Sequence, residues 1–416
     1  MSSRRIDAGT LELGAGLETL VRAALESVPV GGELEIVTVS RAVAYELPAW
    51  ARISGHQHVS DDVEGSGASR RFVVRIRRGE VSRLLAETLP PRSDPLRTPN
   101  GALHIAELRQ IEPLTSESNP ESGLVPIGAV AEAGGPAYEW QLSRQDRIWA
   151  DQLASLTERA AKTQWDATLD IPWEAATGLP AYTEQAVAQV MTYIAQNEYA
   201  ALYVPARFLP QVNPRYTEVL LWLASHVYDE ARHVEVFTKR ALVGGARAHA
   251  LASTDLSLHS LLEESDFSAA ALLLNVLGEG TFLDLLRFVE RHAPDAATAT
   301  AARLAHQDER RHVQFGIAHV RRRLALDPEE QPALVAAAEA RAAKLTSLSG
   351  LSPVVTESLT LLAAHSLQPA DLSEAGAALR RLTQTMEENR LRRLHAAGFD
   401  EKTAQYLSDL HTPNLM

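Results

Sequence analysis

The chain of 416 residues contains no cysteine. That absence excludes disulfide staples, thiolate metal sites, iron–sulfur clusters and cysteine nucleophiles, so any metal must be held by His, Asp and Glu. An excess of positive charge is missing too: 40 Lys and Arg stand against 53 Asp and Glu, a net charge of −13. Binding to a phosphate backbone needs a basic footprint, and nucleic acid is not expected as a partner. No run approaches the ~18 apolar residues of a membrane span. The basic start, Met1-Ser-Ser-Arg-Arg-Ile-Asp, lacks the apolar stretch of a secretory signal behind it. A soluble cytoplasmic protein without a membrane partner is expected. Gly-rich phosphate loops, Ser-His-Asp constellations and nucleophile elbows are also lacking.

What is present falls into three zones, within the two to three domains that roughly 150 residues per domain would give. Residues 1–80 read as a small α+β module. Leu17, Leu20, Val21 and Ala24 mark a helix, Gly31-Gly32 a turn and Glu33-Leu-Glu-Ile-Val-Thr-Val a strand. A second helix spans Ala42 to Ile53, and the alternating Arg71-Phe-Val-Val-Arg-Ile-Arg closes the module as a strand. Residues 81–137 accumulate Pro, Gly and Ser without sustained periodicity and read as a linker. Residues 138–416 are Ala- and Leu-rich with helical spacing, broken at Pro214, Gly244-Gly245, Pro294, Pro328, Gly350 and Pro369.

Two strings recur in the helical zone, Asp229-Glu-Ala-Arg-His233 and Asp308-Glu-Arg-Arg-His312. Positions i and i+3 lie one helical turn apart on one face, so Glu230 with His233, and Glu309 with His312, each present an oxygen and a nitrogen to one point. A further glutamate precedes each pair at similar distance: Glu198 by 32 residues before Glu230, Glu279 by 30 before Glu309. Helical spacing puts Met191, Ile194, Glu198 and Leu202 on one face, Leu223, Val227, Glu230, Val234 and Phe237 on another, and Leu272, Asn275, Glu279, Phe282 and Leu286 on a third. These carboxylates point into the core, where an unpartnered charge is too costly to persist. Two divalent cations would neutralise the four.

A Glu from each of two helices plus Glu-x-x-His from each of two others is the ligand set of ferritin-like di-iron and di-manganese carboxylate bundles. On these motifs the stretch from about Ala181 to Arg323 resembles that superfamily, and the Asp-Glu-x-Arg-His form looks like its oxygen-activating branch. The fold class this implies is mainly α, a ferritin-like four-helix bundle with extra helices, behind the N-terminal α+β module. The resemblance implies Glu198, Glu230 and His233 on one metal, Glu279, Glu309 and His312 on the other, two of the glutamates bridging, and iron or manganese as the ion. Asp229 and Asp308 are expected to fix the second ring nitrogen of the histidines, with Arg232 and Arg311 neutralising them. The N-terminal module resembles the TusA/SirA-type sulfur carriers through Gly31-Gly-Glu-Leu-Glu-Ile and Tyr45-Glu-Leu-Pro-Ala-Trp-Ala-Arg-Ile-Ser-Gly-His. Where that family has its Cys-Pro, this chain reads Leu13-Gly-Ala-Gly, which leaves a docking or stabilising role and no thiol transfer.

His226 and His306 read as extra ligands, proton shuttles or ordinary hydrogen-bonded histidines. Tyr199, Tyr203 and Tyr228 read as radical or substrate contacts or as aromatic filler, and Trp140, Trp149, Trp165 and Trp173 as packing. The basic face of Glu388-Asn-Arg-Leu-Arg-Arg-Leu-His-Ala-Ala-Gly is read as solvated or as a subunit contact in a homodimer. The function implied is a monooxygenase-type di-metal oxidase or oxygenase that acts with O2 on a small organic substrate and takes electrons from a separate donor. Two alternatives stand beside it: ferritin- or rubrerythrin-like metal storage and peroxide scavenging, and a non-catalytic helical adaptor.

Overall fold

The computed structural model describes residues 3–80, 101–111, 113, 115, 117, 123–129, 137–346, 352–364 and 366–411. Most of the expected linker over 81–137, and the break at Gly350, lie outside the described residues. The chain divides into two compact units, Met1–Pro95 and Leu96–Met416.

The first unit is built in the order β1 (Ser3–Gly9), α1 (Leu17–Glu26), β2 (Glu33–Thr38), α2 (Arg41–Ile53), β3 (Gln57–Glu64) and β4 (Arg71–Arg77). The sheet runs β1-β2-β4-β3, with β1 parallel to β2 and β4 antiparallel to both its neighbours. Alternation in β2 and β4 sends Leu34, Ile36, Val74 and Ile76 inward, onto Leu17, Val21 and Leu25 of α1 and Leu47 of α2. Strand β3 was not expected, because Gln57-His-Val-Ser-Asp-Asp-Val-Glu buries no face. It is an edge strand, held by the backbone ladder to β4 and carrying charges of the kind that discourage further pairing.

In the second unit, two single turns, α3 (Leu108–Ile111) and α4 (Gln145–Ile148), and helix α5 (Leu153–Lys162) lead into long helices. These are α6 (Ala181–Phe208), α7 (Thr217–Val243), a composite of α9 (Phe267–Ala271), a π-helical stretch (Leu272–Glu279) and α10 (Gly280–His292), and α11 (Ala296–Leu326). Asp266 and Asp295 cap α9 and α11 by accepting from the Ala269 and Thr298 amides at 2.8 and 2.7 Å. Helices α8 (Ala252–Leu262), α12 (Gln331–Thr346), α13 (Pro353–Ala363), α14 (Pro369–Ala396) and α15 (Glu401–His411) complete the unit. The architecture is mainly helical with a small N-terminal sheet, the ferritin-like class expected.

Two apolar cores fill the long helices. One gathers Phe208, Trp222, Leu223, Phe267, Leu272 and Phe315; the other gathers Met191, Ile194, Phe237, Leu286, Val289 and Leu359. On each helix the sequence passes from one core to the other through a short polar interval, at 196–198, 226–233, 279 and 308–312. One polar layer therefore lies between two dry ones.

Two expectations are corrected. Phe267–His292 is one helix long and apolar enough to cross a membrane by length and composition, and most of it is buried inside the fold; its polar members Asn275, Glu279 and Asp284 break the run in the sequence. The basic string 388–398 is only in part a solvated face, with Glu388 and Arg392 exposed. It belongs mostly to α14, with Arg390 and Arg393 buried: Arg390 donates to the Ser408 carbonyl at 3.1 Å and Arg393 Nε to the Val276 carbonyl at 3.2 Å.

Candidate metal centre

The polar layer brings all six expected ligands together. Glu198 comes from α6, Glu230 and His233 from α7, Glu279 from the end of the π-helical stretch, and Glu309 and His312 from α11; each is 4 % exposed or less. Donor atoms form two sets, each within 4.8 Å: Glu198, Glu230, His233 and Glu309 in one, His226, Glu230, Glu279 and His312 in the other. Glu230 belongs to both. Its two oxygens lie 3.4 Å from His233 Nδ1 and 2.8 Å from His312 Nδ1. Glu309 spans the same two nitrogens, at 3.3 and 3.4 Å. These two glutamates occupy the shared centre, and Glu198 and Glu279 sit at its two ends.

On the expected ligands, seven buried atoms have no well-aligned hydrogen-bond partner: Glu198 Oε1, both carboxylate oxygens of Glu230 and of Glu309, and Nδ1 of His233 and of His312. Unsatisfied buried polar atoms are rare and costly, and seven converging on one space are accounted for by cations placed among them. Carboxylate oxygens and imidazole nitrogens without thiolate suit iron or manganese. The residues present fit a dinuclear metal cofactor. Glu279 differs, since its oxygens accept from His226 Nε2 at 3.0 Å and Asn275 Nδ2 at 2.7 Å.

The remaining histidine nitrogens explain why Nδ1 faces the centre. His233 Nε2 is bound to Asp308 at 3.2 Å and His312 Nε2 to Asp229 at 3.3 Å, so each aspartate serves the histidine of the other helix. Arg232 bridges Asp229 and Asp308 at 2.6 and 2.7 Å, and Arg311 bridges the same two at 2.8 and 2.6 Å. Burial pushes both aspartates up, but His312 and Arg311 bring Asp229 below its ordinary range, and His233, Arg311 and Arg232 bring Asp308 lower still. Burial opposes charge on the imidazoles as well, and the carboxylates around them outweigh it, holding both well above the ordinary value. At Glu198, burial and then the charges of Glu230 and Glu309 raise the carboxyl well above its usual range.

Of the residues left open by sequence, His226 joins the centre and His306 does not. The His226 ring stacks on His312 with centroids 3.8 Å apart, whereas His306 lies beside Arg287 and Arg310, and burial and those charges lower it to about 4. Tyr199, Tyr203 and Tyr228 are not filler: all three are about half exposed, Tyr228 beneath the Arg232 guanidinium. Trp165, expected only to pack, donates from Nε1 to Asp308 at 2.7 Å and stacks on His233. Its neighbours Gln164 and Thr163 accept from Arg232 and Arg311. This Thr-Gln-Trp strip follows α5 and lies 65 or more residues away in sequence from the groups it braces. No helical spacing connects it to them.

A cavity reaches the carboxylates of the centre. Glu198, Glu279 and Glu309 form part of its wall, and Ala201, Leu258, Leu261, Leu274 and Phe282 supply the apolar remainder, with Arg341.

No protein-family model and no curated protein sequence matches the chain. Among solved structures, it is similar to mutants of an R2-like ligand-binding oxidase with reconstituted Mn/Fe cofactor. One, aerobically reconstituted, is 17% identical, with 63% of this chain and 92% of that chain covered and a TM-score of 0.41. Another, anaerobically reconstituted, is 17% identical, with 60% and 94% covered and a TM-score of 0.44.

Proposed function

We propose that the chain is a non-haem dinuclear-metal oxidase or oxygenase that uses O2 to oxidise a small organic substrate. The observation that carries this reading is the cavity whose wall is shared between apolar side chains and Glu198, Glu279 and Glu309. A storage site needs a route for ions, and an adaptor needs no cavity on its buried carboxylates. Glu198, Glu230, His233, Glu279, Glu309 and His312 hold the metals, iron or manganese, with Glu230 and Glu309 shared. When bound, such a pair supplies reductive activation of O2.

The chain's own residues supply the setting. Trp222 and Phe315 below, and Phe237 and Met191 above, belong to the apolar cores that keep bulk water from the layer. Asp229 and Asp308 orient the histidines and raise their basicity, and Arg232, Arg311 and Trp165 hold the aspartates. His226 holds a proton at Nε2, donated to Glu279 Oε1, which makes it the nearest proton to the far end of the cluster. Electrons come from a separate donor, and the protein works as a soluble cytoplasmic enzyme. The N-terminal unit, a sulfur-carrier-like fold with no thiol, serves docking or stability.

Elemental analysis after anaerobic loading with Fe(II), followed by O2 uptake, tests the reading. About two ions per chain are expected, as a di-metal bundle requires, with oxygen consumption that depends on them. Glu230→Ala should bring metal well below one ion per chain and abolish the uptake. Full metal content in that variant would defeat the ligand assignment, and accumulation of a ferric core without a substrate-dependent component would favour storage.

A further inference from the structure

A pocket where α10, α11 and α14 meet gathers positive charge in a chain whose net charge is −13. Arg287 comes from α10, Arg310 from α11, and Arg392 and Arg393 from α14, while the carboxylate in the wall is Asp284. That carboxylate is already engaged, accepting from Asn389 Nδ2 at 2.7 Å and lying 3.6 Å from Arg393 Nη1. Four guanidinium groups against one carboxylate leave an excess of three positive charges in the wall. The adjoining cleft shares Arg287 and has no such excess, because Glu290, Asp371 and Glu374 stand there beside Arg291 and Arg381.

The four arginines are held differently. Arg393 is buried and fixed: Nε donates to the Val276 carbonyl, and the side chain lies so close on Gly280 that a Cβ there would collide with it. Burial lowers it only to about 10, so it remains a charged floor at neutral pH. Arg392 donates from Nη1 to Asn389 Oδ1 at 2.9 Å and lies 3.8 Å from the exposed Glu388. Arg287 and Arg310 are exposed, and among the described residues neither forms an ion pair or a hydrogen bond. His306, one turn before Arg310, lines the same wall. Guanidinium groups brought to one concave site from three helices repel one another and focus a positive potential there, which an anion relieves. The pocket measures about 270 Å³, where a single water occupies ~10–15 Å³ on this measure, so it has room for a tetrahedral oxyanion and for a small organic group on Leu283, Val313 and Ile317.

We propose that this pocket is a phosphate site, in which Arg287 and Arg310 hold a phosphate dianion, free or as the phosphoryl end of a small molecule, with Arg392 at the rim and Arg393 beneath. The guanidinium fork pairs with two oxygens of an oxyanion at a time. Forks arriving from separate helices suit a group whose oxygens point in several directions, and three excess charges suit a dianion. The site lies outside the cavity on the metal-centre carboxylates and needs neither metal nor oxygen, so it stands apart from the oxidase reading.

The test is calorimetric titration of the full chain with inorganic phosphate, phenyl phosphate and acetate at low ionic strength, where screening is weak. Wild type should bind phosphate saturably, one per chain, and at least tenfold more tightly than acetate. Arg287→Gln and Arg310→Gln should each weaken phosphate by tenfold or more; both side chains are exposed, so the fold is expected to survive. Arg303→Gln removes an exposed arginine of α11 that does not line the pocket and should leave binding unchanged. Phosphate should also raise the unfolding midpoint of the helical unit in wild type and not in the Arg287→Gln, Arg310→Gln double variant. Tighter binding of phenyl phosphate than of phosphate would identify a phosphorylated small molecule as the ligand, and equal binding would identify the free ion; either result supports the site. Absence of saturable phosphate binding overturns the proposal. So does a loss in Arg303→Gln equal to that in the pocket variants, which would mean an adventitious ion only. Binding of a tetraglutamate peptide without binding of phosphate also overturns it and would assign the pocket to an acidic protein partner.

Discussion

Asp308 accepts from His233, Trp165, Arg232 and Arg311 at once, so its charge is what keeps His233 Nδ1 turned to the centre. Asp308→Asn should lower metal affinity by about 10–100-fold, read by competition with a chelator. Asp229→Asn should match it, because Asp229 stands in the same relation to His312. Two helical turns beyond His312 on α11, His319 gives a pH signature. It is buried between the Trp149 carbonyl and Ser268 Oγ, each 2.9 Å away, and burial brings it down to about 4. An unfolded histidine titrates near 6.5, so between these values the unfolded chain binds more protons. Stability is therefore free of this penalty above pH ~6.5 and falls as pH drops toward 4, by about 3 kcal/mol in full. Unfolding midpoints across that range should fall less steeply in His319→Gln. The convergence of the six candidate ligands was legible because helix spacing states which residues share a face. His226 was legible only as a neighbour of Glu230. Trp165 was not legible, since nothing local in the segment after α5 announces a partner from a distant helix.

Among the elements, the π-helical stretch is the one that ordinary helical periodicity misses. The expected face Leu272, Asn275, Glu279, Phe282 and Leu286 is indeed buried, yet the backbone there turns more widely than an α-helix, a form that occurs often at functional sites. Gly316 on α11 is what lets this wider turn come close. A Cβ there would meet Asn275 Cβ at 2.4 Å and the Ala271 carbonyl oxygen at 3.3 Å, and Asn275 is the residue that hydrogen-bonds Glu279. Gly316→Ala should destabilise the helical unit by about 1–3 kcal/mol and lower metal content at the same time, measured by thermal unfolding and elemental analysis of one preparation. A loss of stability with full metal content would separate Gly316 from the site. Strand β3 escaped the sequence for the opposite reason: its pairing lies in backbone hydrogen bonds, and its side chains carry no pattern to read.

Over the whole molecule, two units with separate cores give two unfolding events, and the metals belong to one of them. Calorimetry of the full chain with and without chelator should shift the transition of the helical unit and leave that of the sheet unit in place, since a ligand stabilises only the state that binds it. The four-helix architecture was legible in the repeated motif, whereas the burial of Arg390 and Arg393 was not, because a basic string on a helix looks the same whether it faces water or the Val276 and Ser408 carbonyls. The crossed pairing of Asp229 with His312 and Asp308 with His233 reaches further. When one residue meets a second and the equivalents meet in return, the contact has the form of a two-fold subunit interface, here closed within a single chain. The halves on either side of the connection at 244–251 each supply three ligands and lend the other its aspartate. A chain divided in that connection should give fragments that take up metal when mixed and fail to when kept apart, so the centre behaves as a joint between two incomplete partners.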